Sequence, residues 1–138
     1  FPSEAPNGIG LSPYGTKLYW AETHTGRVFQ ATVTAPGEIA PISSIDPSAC
    51  LCGLPCLQLL DSLAVDGDGN VCVATLLNGG ITVISPSGEI LQHIATGDPL
   101  TTNICFGGSD FQTAYITLSG TGKLVSMKWP YKGLRLNY

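Results

Sequence analysis

The chemistry available to this sequence is carried by oxygen. Asp61 stands in Leu60-Asp61-Ser62-Leu63, where a carboxylate entering an apolar strand needs a hydrogen-bonding partner or a metal ion. Asn7 precedes Gly8, a pair that serves either as an ordinary turn or as an amide oxygen aimed at a cation. Thr101, Thr102 and Asn103 precede the apolar run Ile104-Cys105-Phe106 as Asn7 and Asp61 precede theirs, which makes them candidates for contact with substrate or water. Softer ligands make no competing pattern. Cys50, Cys52 and Cys56 crowd one connection, but no second cysteine pair or nearby histidine completes a zinc site, so free thiols or an adventitious disulfide are expected. Asp66-Gly67-Asp68-Gly69-Asn70 begins like an EF-hand loop, yet Val71 stands where that loop needs Gly and Leu77 where it needs Glu. It reads as a hairpin turn. His24 and His93 lie beside polar turns or strand ends and are expected in solvent. No Gly-x-Ser-x-Gly elbow or phosphate-binding glycine loop is present, which leaves serine-hydrolase and nucleotide chemistry unsupported.

The elements that position these oxygens are short strands. Seventeen Gly and ten Pro, with only 12% charged residues against 43% apolar, describe a chain of tight turns that must bury surface. Val71-Cys72-Val73-Ala74-Thr75 and Gly80-Ile81-Thr82-Val83-Ile84 are β-prone runs bounded by Gly- and Asn-containing turns, and no twelve-residue stretch free of Gly and Pro has helical spacing. Cys72 and Cys105 fall inside strand patterns as small core residues. Tyr19, Trp20, Tyr115 and Trp129 are expected to pack between sheets. The segment from Ala35 to Leu60, with Pro36, Pro41, Pro47 and Pro55 among apolar residues, reads as an ordered loop.

One strand pattern recurs three times. Gly8-Ile9-Gly10-Leu11, Ser62-Leu63-Ala64-Val65 and Asn103-Ile104-Cys105-Phe106 each begin a unit of further strands, and Ile9, Leu63 and Ile104 are 54 and 41 residues apart. That period is the signature of β-propeller blades. We therefore expect an all-β fold of three four-stranded antiparallel blades, over about residues 6–45, 59–98 and 101–136. Propellers close with about 4–8 blades, so three make half of a six-bladed ring and leave two faces uncovered. A missing N-terminal half-propeller or a second copy of the chain would cover them. The chain starts at Phe1 without Met or a leader, as expected of a processed start or a cut within a longer protein. A net charge of −4 without a basic run argues against nucleic acid, and the absence of an apolar run of ~18 residues argues against a membrane span. Five cysteines, an odd number, point to a reducing, cytoplasmic setting.

The motifs Pro6-Asn7-Gly8-Ile9-Gly10-Leu11-Ser12-Pro13, Asp61-Ser62-Leu63-Ala64-Val65-Asp66-Gly67 and Thr102-Asn103-Ile104-Cys105-Phe106-Gly107-Gly108-Ser109-Asp110, in that order, resemble the senescence marker protein/gluconolactonase/luciferin-regenerating-enzyme-like family. The closing Lys132-Gly133-Leu134-Arg135-Leu136 is also similar. The resemblance is to the C-terminal three blades. It implies a six-bladed propeller with a divalent metal in the central channel, commonly Ca²⁺ with Zn²⁺, Mn²⁺ or Mg²⁺ as alternatives, and hydrolysis of sugar-type lactones. By the same resemblance Asn7 and Asp61 are metal ligands, and Asp61 is the catalytic base. A further Glu ligand belongs to blades this chain lacks, which implies weak metal binding by the isolated half. Leu60-Asp61-Ser62 replaces the family's usual Pro-Asp-Gly. The alternatives are a non-catalytic scaffold of propeller type and a hydrolase of organophosphate esters.

Overall fold

In the computed structural model, which describes residues 3–43 and 45–136, the turns bring successive strands antiparallel into three sheets. The first holds β1 (Pro6–Leu11), β2 (Lys17–Glu22), β3 (Arg27–Ala35) and β4 (Glu38–Ile39), with β5 (Cys50–Gly53) added along β3. The second is β6 (Leu59–Val65), β7 (Val71–Leu76), β8 (Gly80–Ile84) and β9 (Ile90–Ala95). The third is β10 (Thr101–Gly107), β11 (Thr113–Leu118) and β12 (Lys123–Lys128). The all-β expectation holds. A 3-10 turn over Pro47–Ala49 is the only helical piece among the described residues, and no helix is long and apolar enough to cross a membrane.

The second sheet has the expected four strands, and the first and third depart from that number. In the first sheet β3 is nine residues long and pairs with β4 near its end (Val33↔Ile39) and with β5 near its start (Val28↔Cys52), so two short strands share the outer position. The chain between them contains Pro41 and Pro47, which cannot donate to a ladder and divide the edge. Cys50–Gly53 is thus strand inside the segment expected to be loop, and the sheet extends beyond residue 45. Gly88, at φ +89°, turns directly over the Leu51 carbonyl and holds β5 against the second sheet.

The third sheet has three strands among the described residues. After β12 comes Trp129-Pro130, and the tail leaves the sheet instead of adding an edge. It returns to the second sheet, where Gly67 N donates to Lys132 O at 2.7 Å and Leu134 N to Val65 O at 3.4 Å.

Two apolar layers hold the three sheets together. Tyr19, Ala21 and Val28 of the first sheet meet Leu60, Leu63, Val65, Val71, Val73 and Ile84 of the second. Cys72, Ala74, Ile81 and Val83 on the other face of the second sheet meet Ile104, Ala114, Ile116 and Leu118 of the third, with Trp129 closing the edge. The middle sheet is buried on both faces. That is why its strands read as continuous apolar runs in place of an alternation.

Two expected core residues are not core. Cys105 and Tyr115 pair across β10 and β11 on the face that no other sheet covers, and both are exposed. Tyr19, Trp20 and Trp129 are buried as expected, although Trp129 lies just beyond β12.

Candidate functional site

The first strand of every sheet carries a bulge at the same place. In β1 the register shifts between Pro6 and Ile9, in β6 between Leu60 and Leu63, and in β10 between Thr101 and Asn103. Beyond each shift, Ile9 pairs with Trp20, Leu63 with Val73, and Ile104 with Ile116, so the three units superimpose in register. Two residues before these anchors stand Asn7, Asp61 and Thr102. A bulge releases a side chain from the pleat and re-aims it. Here an oxygen-bearing residue falls at such a bulge three times. The candidate residues therefore lie within the inner strands and not ahead of them.

Close packing sets β1 against β6. A Cβ on Gly8 would collide with Leu63 N and stand 2.8 Å from the Asp61 carbonyl oxygen. Only glycine allows the backbone next to Asn7 to seat on the backbone of Asp61. β10 packs along the other side of β6. The later residues of the three strands, Ile9–Leu11, Leu63–Val65 and Ile104–Phe106, line one cavity of about 650 Å³ with Phe111 and the tail residues Leu134–Leu136. This cavity is apolar and lies toward the strand ends opposite the bulges.

The five residues expected from sequence divide by environment. Asn7 is exposed, and its Nδ2 donates to Thr23 Oγ1 at 3.4 Å. Asp61 is half-buried. Thr102 Oγ1 shares hydrogen bonds with Thr117 Oγ1 at 2.9 Å and Ser119 Oγ at 3.1 Å, a hydroxyl cluster at the end of the third sheet. Asn103 is exposed, and its Oδ1 accepts from Ile104 N at 2.8 Å, so its amide is oriented by its own backbone. Thr101 is buried, donates to Asp98 O at 3.0 Å, and lies 2.6 Å from Thr96 Oγ1. Its hydroxyl is engaged within the fold.

Sequence reasoning missed Gly8 as a packing residue, and Thr117 and Ser119 as neighbours of Thr102. The offset of two from Ile9, Leu63 and Ile104 was available as a signal and singles out Thr102 over Thr101 and Asn103. No such offset marks Thr117 or Ser119.

Another carboxylate serves the scaffold. Asp66 follows β6 and accepts from Asn70 N at 2.9 Å, Asn70 Nδ2 at 2.8 Å and Asp68 N at 3.0 Å, which makes its loop the expected hairpin turn. Burial pushes its carboxyl above the usual range, against the pull of these bonds. Burial also raises the Cys72 thiol and, helped by nearby Cys50, the Cys52 thiol, which argues against thiolate chemistry at either. Among the described residues no group of three or more His, Cys, Asp or Glu is placed to hold a metal ion. Asn7 and Asp61 are the right kind of donor for a hard cation, but one chain offers far fewer than the ~6–8 oxygens of a Ca²⁺ shell.

A sequence profile described as the SMP-30/gluconolactonase/LRE-like region matches residues 2–120. Pentonolactonase XacC of Haloferax volcanii is 26% identical over 116 residues, covering 83% of this chain and 38% of that protein. The solved structure of a gluconolactonase from Xanthomonas campestris superimposes with a TM-score of 0.75 at 23% identity, over 94% of this chain and 40% of the other. That of regucalcin from Agrobacterium tumefaciens, described as a calcium-binding protein, gives 0.74 at 18% identity, over 95% and 50%. The chain thus spans about two fifths to one half of the length of these relatives.

Proposed function

This chain belongs to the SMP-30/gluconolactonase/LRE-like family, and from that premise we propose that it supplies part of the channel site of a sugar-lactone hydrolase, as the C-terminal half of a six-bladed propeller. One observation carries the reading. Asn7, Asp61 and Thr102 occupy the same bulge in three successive inner strands, so oxygen donors recur at one level of the array. Asn7 and Asp61 would hold a divalent cation, with Ca²⁺ favoured by the calcium-binding relative and Zn²⁺, Mn²⁺ or Mg²⁺ as alternatives. When bound, such a cation polarises a lactone carbonyl. Asp61, half-buried in the inner strand β6, would take a proton from the attacking water as general base. Thr102 and Asn103 would meet the sugar hydroxyls, with Thr101 anchoring the strand beneath them. Free cysteines at all five positions support a reducing compartment such as the cytoplasm.

The competing reading is a non-catalytic scaffold, favoured by the incomplete ligand set of the single chain. Hydrolysis of a sugar δ-lactone, followed by proton release, separates the two. The lactonase reading expects EDTA to abolish turnover, Ca²⁺ to restore it, and Asn7→Ala to raise the Ca²⁺ concentration required. In the completed six-sheet ring, no hydrolysis with any of the four cations, or turnover indifferent to both EDTA and Asn7→Ala, would overturn it.

A further inference from the structure

Glu22, the last residue of β2, is a buried carboxylate that the proposed chemistry does not use. It is 5% exposed, and both oxygens accept from the chain around it: Oε1 from Ser3 Oγ at 2.7 Å and Glu4 N at 3.0 Å, Oε2 from Thr25 Oγ1 at 3.0 Å. One side chain thus ties the approach to β1 to the turn between β2 and β3. Ala5, in that approach, stands at φ +49°, a left-handed backbone that a residue with a Cβ keeps only where its surroundings impose it. The turn is equally fixed. Gly26 lies at φ +63° with the Gln58 carbonyl oxygen 2.9 Å from where its Cβ would be, and its own carbonyl accepts from Leu54 N at 3.0 Å. The β2–β3 turn is therefore wedged between the chain entering β1 and the chain entering β6.

Thr23, the first residue of that turn, uses all three of its polar atoms on those two neighbours. Its N–H donates to Ala5 O at 3.0 Å, its hydroxyl accepts from Asn7 Nδ2 at 3.4 Å, and its carbonyl accepts from Leu60 N at 3.3 Å. Asn7 is one proposed cation ligand, and Leu60 immediately precedes the other, Asp61. We propose that Thr23 is a positioning residue for the cation site, holding the Asn7 amide through its hydroxyl and the start of the strand that carries Asp61 through its carbonyl. An asparagine offers a cation only its amide oxygen, so a bond given by the amide nitrogen orients the group without occupying its acceptor. A partner that orients a ligand in this way changes affinity through that ligand and touches neither cation nor substrate. Thr23 has this role only if Asn7 and Asp61 are cation ligands, as the lactonase reading holds.

Calorimetric titration of the completed six-sheet ring with Ca²⁺, Zn²⁺, Mn²⁺ or Mg²⁺ alone tests the role without turnover. Thr23→Val keeps the shape of the side chain and removes its hydroxyl, whereas Thr23→Ser keeps the hydroxyl. Thr23→Val should weaken binding of the tightest cation by about 10-fold, the lower end of what losing such a partner costs a metal site. The Tm of the metal-free protein should stay unchanged, and Thr23→Ser should bind as wild type does. Equal affinity in Thr23→Val and wild type would overturn the proposal. So would a loss that Thr23→Ser shares, or one that comes with a lowered Tm. Asn7→Ala in the same titration keeps the two ideas apart. A wild type that takes up none of the four cations, or uptake that Asn7→Ala leaves unaltered, removes the ligand reading and the role of Thr23 with it. Uptake weakened by Asn7→Ala but intact in Thr23→Val removes the role of Thr23 alone.

Discussion

Asp61 shows what was legible at a single position and what was not. A carboxylate between leucines announces itself, because burying such a group without a partner is costly. Its setting within a bulge, with Asn7 and Thr102 in the same setting, depends on pairing between strands that no local spacing reveals. Cys105 was misjudged for a related reason. An apolar strand residue is core only if another sheet lies on its side, and the third sheet lacks that neighbour. Gly8 is the least conspicuous residue of the site and among the most constrained. Gly8→Ala places a methyl group against the Asp61–Leu63 backbone, which has no rotamer to give. Overpacking of this kind costs about 1–3 kcal/mol. A urea midpoint lowered to match is the expected outcome, and an unchanged midpoint would show that the close approach of β1 to β6 is not what the structure describes.

At the scale of elements, hairpin order was readable because Gly and Asn mark turns and β-branched runs mark strands. The split edge of the first sheet and the tail's departure from the third were not. Both depend on prolines whose local effect is plain but whose consequence, which distant strand the freed chain then joins, is set by tertiary packing. The link from β9 to β10 supplies a testable joint. Asp98, buried there, accepts from Thr121 Oγ1 and N at 2.7 Å, Leu100 N at 2.8 Å and Gly120 N at 3.2 Å, fastening the link to the β11–β12 turn. The Thr121 hydroxyl first, and the backbone N–H groups with it, hold the carboxyl below its usual range against the opposing effect of burial. A carboxyl depressed in the fold stabilises above its unfolded value of 3.8 and loses that stabilisation as pH falls through its lower folded value. Asp66 has the opposite displacement and works against this trend, so the difference between variants is the useful quantity. Asp98→Asn should lower Tm at pH 7 and flatten the fall of Tm below pH 3.8 relative to wild type. Parallel acid limbs for the two proteins would rule out Asp98 as the titrating joint.

For the whole molecule, the sheet repeat was the strongest signal, because each unit must stack on another and the spacing of Ile9, Leu63 and Ile104 recurs however the loops vary. The same repeat explains why function cannot reside in one sheet. Each inner strand carries one oxygen-bearing residue at its bulge, so the proposed site draws on all three strands. Sequence pointed to Asn7, Asp61 and the run Thr101–Asn103; the structure sets Thr102 of that run at the bulge and adds the glycine that seats one strand on the next. The central proposal is that these residues form part of a lactone-hydrolysing site with Asp61 as base. Its most direct measurement compares initial rates of sugar-lactone hydrolysis in saturating Ca²⁺ for wild type and Asp61→Asn, with Tm recorded on the same samples. The account predicts a loss of about 10²-fold or more at unchanged Tm, the size expected when a general base is removed. Equal rates for the two proteins would contradict it.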